Sequence, residues 1–104
     1  MIVEERIYTL HPGKLAEYVG IYQAEGMPIQ TKIIGRMIGY FTTEFGPLNQ
    51  VVHMWGYESF EERARKRAEL QAHPDWKAYL AKTRHLIQTQ ENKILNPTAF
   101  SPIR

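Results

Sequence analysis

The chain has 104 residues, no cysteine, a formal net charge of +2, and 23% charged against 43% hydrophobic residues. That length holds one domain (residues 1–104) and buries roughly 65% of the surface its unfolded form exposes, so support from an oligomer interface is plausible without being required. Lack of cysteine excludes disulfides, thiolate metal sites and thiol nucleophiles, and the small net charge argues against nucleic acid as a partner. No apolar run approaches the roughly 20 residues of a membrane span, and MIVEERIY has no apolar signal-peptide core. A cytoplasmic protein with no membrane partner is the expectation.

Met1 to Leu10 alternates with period two up to the His11-Pro12-Gly13 turn and predicts a first strand. Val3, Ile7 and Thr9 share one face of it, and Glu4, Arg6, Tyr8 and Leu10 the other. Leu15, Tyr18, Val19 and Tyr22 then fall at helical spacing, and Gly26-Met27-Pro28 is expected to interrupt that helix, with a further turn or two before Gly35. Met37 to Phe45 reads as a second strand, Gly46-Pro47-Leu48-Asn49 as a compact turn, and Gln50 to Tyr57 as a third strand. Ser59 is an N-cap with Glu62 at the reciprocal position of a capping box, opening a helix that reaches about Ala72. Past His73-Pro74, the stripe Trp76, Tyr79, Leu80, Thr83 and Ile87 marks another helix, most simply facing the core. Thr89 to Asn96 supplies a last strand, and an extended tail of about residues 97–104 follows, with Phe100 as its large anchor.

The order β-α-β-β-α-β is the ferredoxin-like arrangement of the α+β class. With both helical segments on one side, the sheet's other face stays bare. Val52 and Met54 are assigned to the helix side, which puts Glu4, Arg6, Tyr8, Tyr40, Thr42, Glu44, His53, Trp55 and Tyr57 on the bare side. Such a surface is too aromatic for water and too polar for a dry core. Pairing two copies across a two-fold axis would close it into a dimeric α+β barrel with a polar-aromatic cavity.

Several short motifs together resemble the NIPSNAP family. They are Glu4-x-Arg6-x-Tyr8, Pro12-Gly13-Lys14, Gly39-x-Phe41-x-Thr43-Glu44-x-Gly46, Leu48-Asn49, His53-x-Trp55-x-Tyr57, Arg63 and Arg67, Pro74-x-Trp76-x-x-Tyr79, and Pro97-x-x-Phe100-Ser101-Pro102. The resemblance spans the chain and implies membership of the dimeric α+β barrel superfamily, which agrees with the topology. It implies no firmly assigned chemistry. Eukaryotic members are linked to mitochondria and membrane traffic, whereas this chain resembles the bare, bacterial, single-domain form. Related barrels include cofactor-free monooxygenases, haem-handling enzymes and isomerases, so the fold does not settle function.

His53 is the candidate catalytic group, because an imidazole that titrates near neutrality suits acid/base work, with a structural interface histidine as the bland alternative. Arg6 is a candidate anion clamp, or the partner of Glu44 in a buried ion pair. Tyr8, Tyr40, Trp55 and Tyr57 are candidate walls for an aromatic or apolar ligand, or simply filling, and Glu44 is counted with them and Arg6 among the substrate-binding residues. Arg63 and Arg67 share one side of a helix whose charges otherwise form favourable pairs, Glu61 with Arg65 and Glu62 with Lys66, and are assigned with Phe100 to an interface. The four histidines are too scattered for a metal site, and no dinucleotide, Walker or nucleophile-elbow motif occurs, so neither metal nor cofactor is expected. Two functions compete: a homodimer, or higher oligomer, that binds, or binds and turns over, a small aromatic or apolar molecule in the barrel, and a non-catalytic interaction protein whose barrel is packed solid.

Overall fold

The computed structural model describes all 104 residues. Strand β1 (Ile2–Leu10) lies at the centre of a four-stranded antiparallel sheet of order β2-β3-β1-β4, with β2 spanning Met37–Thr42, β3 Gln50–Tyr57 and β4 Ile87–Leu95. Two helical segments cross between strands. The first is α1 (Leu15–Ile21) continuing into α2 (Met27–Ile33), and the second is α3 (Phe60–Ala72) followed by α4 (Pro74–Thr83). This is the ferredoxin-like α+β unit that the order of elements predicts.

Local chemistry sets the helix ends. Ser59 Oγ accepts from the Glu62 amide at 3.1 Å, while Glu62 reaches back to the Glu58 amide. His73 caps α4 through Nδ1, which accepts from the Asp75 amide, and Pro74 sits in the first turn, where its missing N–H costs nothing. Pro28 does not break the first helix as expected. Residues Tyr22–Gly26 widen into a π turn, in which the Met27 amide donates to the Tyr22 carbonyl five residues back, and Pro28 falls in the first turn of α2. The extra residue accommodates the proline, while Tyr22 keeps the helical register of Tyr18 and is buried beside it. Gly26 belongs to the same adjustment, since a Cβ there would lie 2.8 to 2.9 Å from ring atoms of Tyr79 and Tyr22.

The assignment of the sheet faces is reversed. His53, Trp55 and Tyr57 point at the helices and are buried with Tyr8, Leu10, Tyr18, Tyr22, Leu70 and Tyr79 in one core. Val52, Met54, Ile7 and Phe41 are the residues on the uncovered face, and Phe41 is 55% exposed. Alternation says which residues share a face, but not which face receives the helices. The helices decide it: their inner surface carries Tyr18, Tyr22 and Tyr79, which match the polar aromatic row in edge and stacking contacts. The tail has no strand or helix of its own; Ser101 and Ile103 border a shallow hollow with Val3, Ile38 and Met54 on the uncovered face, and Phe100 projects away, 86% exposed.

Candidate functional site

Glu4 is the third residue of β1 and is fully buried. Its Oε2 accepts from Arg63 Nη2 at 2.6 Å, Asn92 Nδ2 at 2.8 Å and Arg6 Nη1 at 3.0 Å, which ties α3, β4 and β1 to one atom. Burial by itself would raise this carboxyl's pKa. The hydrogen bonds from Arg63 and Asn92, with the charges of Arg6 and Arg63, outweigh it and hold the value at about 2. Arg6 also donates through Nε to the Tyr8 hydroxyl at 2.8 Å, which orients the ring that follows it on the same face.

The expected pairing of Arg6 with Glu44 does not occur. Strand β2 ends at Thr42, and Glu44 lies beyond the last paired residue, exposed on the hairpin. β3 stands between β1 and β2, whereas Glu4 is two residues from Arg6 on the same face.

His53 lies opposite Arg6 across the β1–β3 ladder. Its ring stacks on Tyr40 at 4.6 Å between centroids and meets Tyr8 edge-on at 5.0 Å, while Tyr22 covers the other face of Tyr40 at 4.5 Å. The Trp55 indole N–H donates to His53 Nδ1 at 2.7 Å. An indole nitrogen can only donate, so Nδ1 is the acceptor and the ring proton sits on Nε2. That N–H is buried without a partner, as is the hydroxyl of Tyr40. Burial, reinforced by the charge of Arg6, lowers the His53 pKa to about 3, so the ring is neutral at physiological pH.

A cleft of about 410 Å³ opens between the β1–β4 half of the sheet and helices α3 and α4. Arg6, Arg67 and Arg84 line its polar side with Gln71, Gln88 and Gln90, and Trp76, Leu80 and Ile87 its apolar side. Tyr8, Gln30, Trp76, Leu80, Thr83, Ile87 and Gln90 also border a chamber of about 40 Å³ behind it, whose far walls are His53, Tyr40, Tyr18, Tyr22 and Tyr79. The inner volume suits about one water-sized group.

Of the residues singled out in the sequence, Arg6, Tyr8, Tyr40 and His53 meet around this cleft and chamber. Trp55 and Tyr57 are buried but border neither, and Trp55 acts on the site only by fixing the His53 tautomer. Of the two arginines assigned to an interface, Arg63 binds Glu4 within the chain, and Arg67 lines the cleft. Missed altogether were Gln30, Gln71, Arg84, Gln88 and Gln90, polar residues with no motif spacing. The wall of Trp76, Leu80 and Ile87 was visible as a helical stripe and read as core, because periodicity does not separate a packed face from one that borders a cavity.

A family model described as NIPSNAP matches residues 3–102. The chain belongs to the NIPSNAP family. A NipSnap homologue of Dictyostelium discoideum is 39% identical over 90% of this chain and 41% of its own length. The NipSnap protein of Drosophila melanogaster is 33% identical over 97% of this chain and 36% of its own. This NIPSNAP chain thus spans well under half the length of these curated relatives. Among solved structures, a NIPSNAP family protein from Agrobacterium tumefaciens superposes with a TM-score of 0.97 at 50% identity, covering 99% of this chain and 98% of that one. A NIPSNAP-like domain protein from Burkholderia xenovorans gives 0.94 at 53% identity, covering 97% and 88%. An antibiotic biosynthesis monooxygenase gives 0.67 at 10% identity, covering 94% and 99%, and shares the fold alone. No helix of this NIPSNAP chain is long and apolar enough to cross a membrane.

Glu4→Gln is expected to cost about 3–5 kcal/mol in urea unfolding, since two guanidiniums would then face a neutral amide. The contribution of Glu4 is present above pH 4.5, its ordinary value, and fades as the pH falls towards 2. An unchanged midpoint at pH 7 would show that the carboxylate is not the anchor. His53 has the same sign, its folded pKa lying below the ordinary 6.5, so its share of stability is lost as the pH falls from 6.5 towards 3. In an NMR titration its ring should remain the Nε2-protonated neutral form from pH 8 to pH 5; a midpoint near 6.5 would refute this.

Proposed function

We propose that this NIPSNAP chain is a homodimeric small-molecule-binding protein whose ligand lies within each protomer, in the cleft between the sheet and helices α3 and α4. The observation that carries the reading is the unpartnered Nε2–H of His53, a wall of the chamber that shares Tyr8, Leu80 and Ile87 with the cleft. Buried donors are nearly always satisfied, and leaving one unmade costs about 1–3 kcal/mol, so a ligand oxygen that reaches the chamber would gain a hydrogen bond there. Trp76, Leu80 and Ile87 offer an apolar wall to the body of an aromatic or aliphatic molecule, and Tyr8 with Arg6 borders it opposite.

In this reading His53 acts as a neutral donor. It would polarise a carbonyl or similar oxygen without first giving up an imidazolium proton. The reading moves the ligand from the space between two subunits to the inside of one, because the polar aromatic row faces the helices. A packed-solid interior, the competing function, is disfavoured by the open cleft.

The uncovered face supports the dimer. Ile7, Phe41, Val52 and Met54 form an apolar row beside Leu95 and Ile103, which are 37% and 40% exposed. A two-fold axis would bury the same row of a second copy against it.

Leu80→Trp would fill the junction of cleft and chamber. In NMR screening against a library of small aromatic and aliphatic compounds, the native chain should show ligand shifts at Tyr8, Trp76 and Ile87 that this variant loses while keeping its helical circular dichroism. No binder in the native chain would remove the reading. Light scattering at micromolar concentration should give the mass of a dimer, and Met54→Glu that of a monomer; a monomeric native chain would exclude the two-fold closure.

A further inference from the structure

We infer that the ligand of this cleft is an organic anion whose carboxylate is held by the Arg67 guanidinium. The inference rests on the reading that the cleft binds a small molecule, and adds the charge and the anchor.

The charge balance of the site carries the argument. Arg6, Arg67 and Arg84 line the cleft, and no acidic residue does. The nearby carboxylate, Glu4, is already shared by Arg6 and Arg63. The ion pairs of the chain include neither Arg67 nor Arg84, and neither donates a hydrogen bond within the protein apart from helix backbone bonds. Arg63 and Arg67 sit one turn apart on the same side of α3; the first finds its carboxylate in Glu4, and the second faces the cleft with none. Arg84 is exposed at the rim, but Arg67 is half-buried. Burial and the neighbouring charge of Arg6 push its pKa down from the ordinary value, and the attraction of Glu4, which bonds to other arginines, does not make up the loss.

A guanidinium in that position is a poor stabiliser of the empty fold and a good receptor for an anion. Its planar fork matches the two oxygens of a carboxylate, and a half-dry site strengthens the contact. The apolar wall of Trp76, Leu80 and Ile87 beside it calls for a carbon body behind that carboxylate, which bare phosphate lacks. The molecule would then run from Arg67 in the outer cleft towards His53 at the inner end.

The test is calorimetric titration of the full chain with benzoate, phenylacetate and short aliphatic carboxylates, each paired with its own primary amide, and with inorganic phosphate. At least one carboxylate should bind tenfold or more tightly than its amide. Arg67→Gln should abolish that preference, Arg67→Lys should keep part of it, and Arg65→Gln, the same charge change on an exposed part of α3, should leave it intact. Arg67→Gln should also leave the melting temperature unchanged or higher, which a structural arginine would not do. If carboxylate and amide bind equally, the anion inference fails while the small-molecule reading stands. Phosphate binding alone would also overturn it. If no compound of either series binds, the small-molecule reading fails with it.

Discussion

A single buried carboxylate oxygen organises this protein. Glu4 Oε2 takes hydrogen bonds from β1, α3 and β4 at once, so the sheet and the second helical segment cannot separate without exposing an unpaired charge. The same oxygen sets how the arginines are placed. Arg6 is turned along the sheet to hold the Tyr8 hydroxyl, Arg63 is drawn inward, and Arg67, one turn further along α3, is left with a charge and no partner. The cationic character of the cleft follows from one acid serving several bases.

Around that anchor the tyrosines do two jobs. Tyr22, Tyr40 and His53 stack into a column that joins the first helical segment to the sheet, and Tyr18 and Tyr79 close its edge. Stacked rings fill volume without meeting every hydroxyl and ring nitrogen, and the chamber beside them is the residue of that mismatch. The π turn at Tyr22–Gly26 holds Gly26 against Tyr79, beside the Tyr22 ring that the register of α1 places in the column. The extra residue shifts the phase of α2 relative to α1, so a local irregularity of the backbone sets where Gly26 and Gln30 meet the inner wall of the site.

The likeness to a monooxygenase at 10% identity marks how little the architecture decides. A ferredoxin-like sheet with helices on one face offers a cleft wherever the two layers diverge, and its chemistry depends on the side chains that line it. Here those are arginines, glutamines and a neutral histidine.

Strand alternation, the Ser59 capping box and the Pro74 helix start are interactions between residues a few positions apart, and the order of elements and the ferredoxin-like class followed from them. The family was legible in the same way, because its motifs are short and run in chain order. The interior was only half legible. Which residues share a strand face is local, so His53, Trp55 and Tyr57 grouped correctly with Glu4, Arg6 and Tyr8. Which face the helices cover depends on what the helices carry, and that placed the row in the core and the apolar row of Val52 and Met54 outside. The partner of Arg6, the tautomer of His53 and the isolation of Arg67 belong to contacts across the fold. Glu44 was the expected partner of Arg6, but the strand order puts β3 between them and Glu4, on the same face of β1, takes its place. Spacing along the chain determined the elements and their pairing; the docking of helices on one face of the sheet decided the site, because only there do charges distant in sequence compete for the same oxygen.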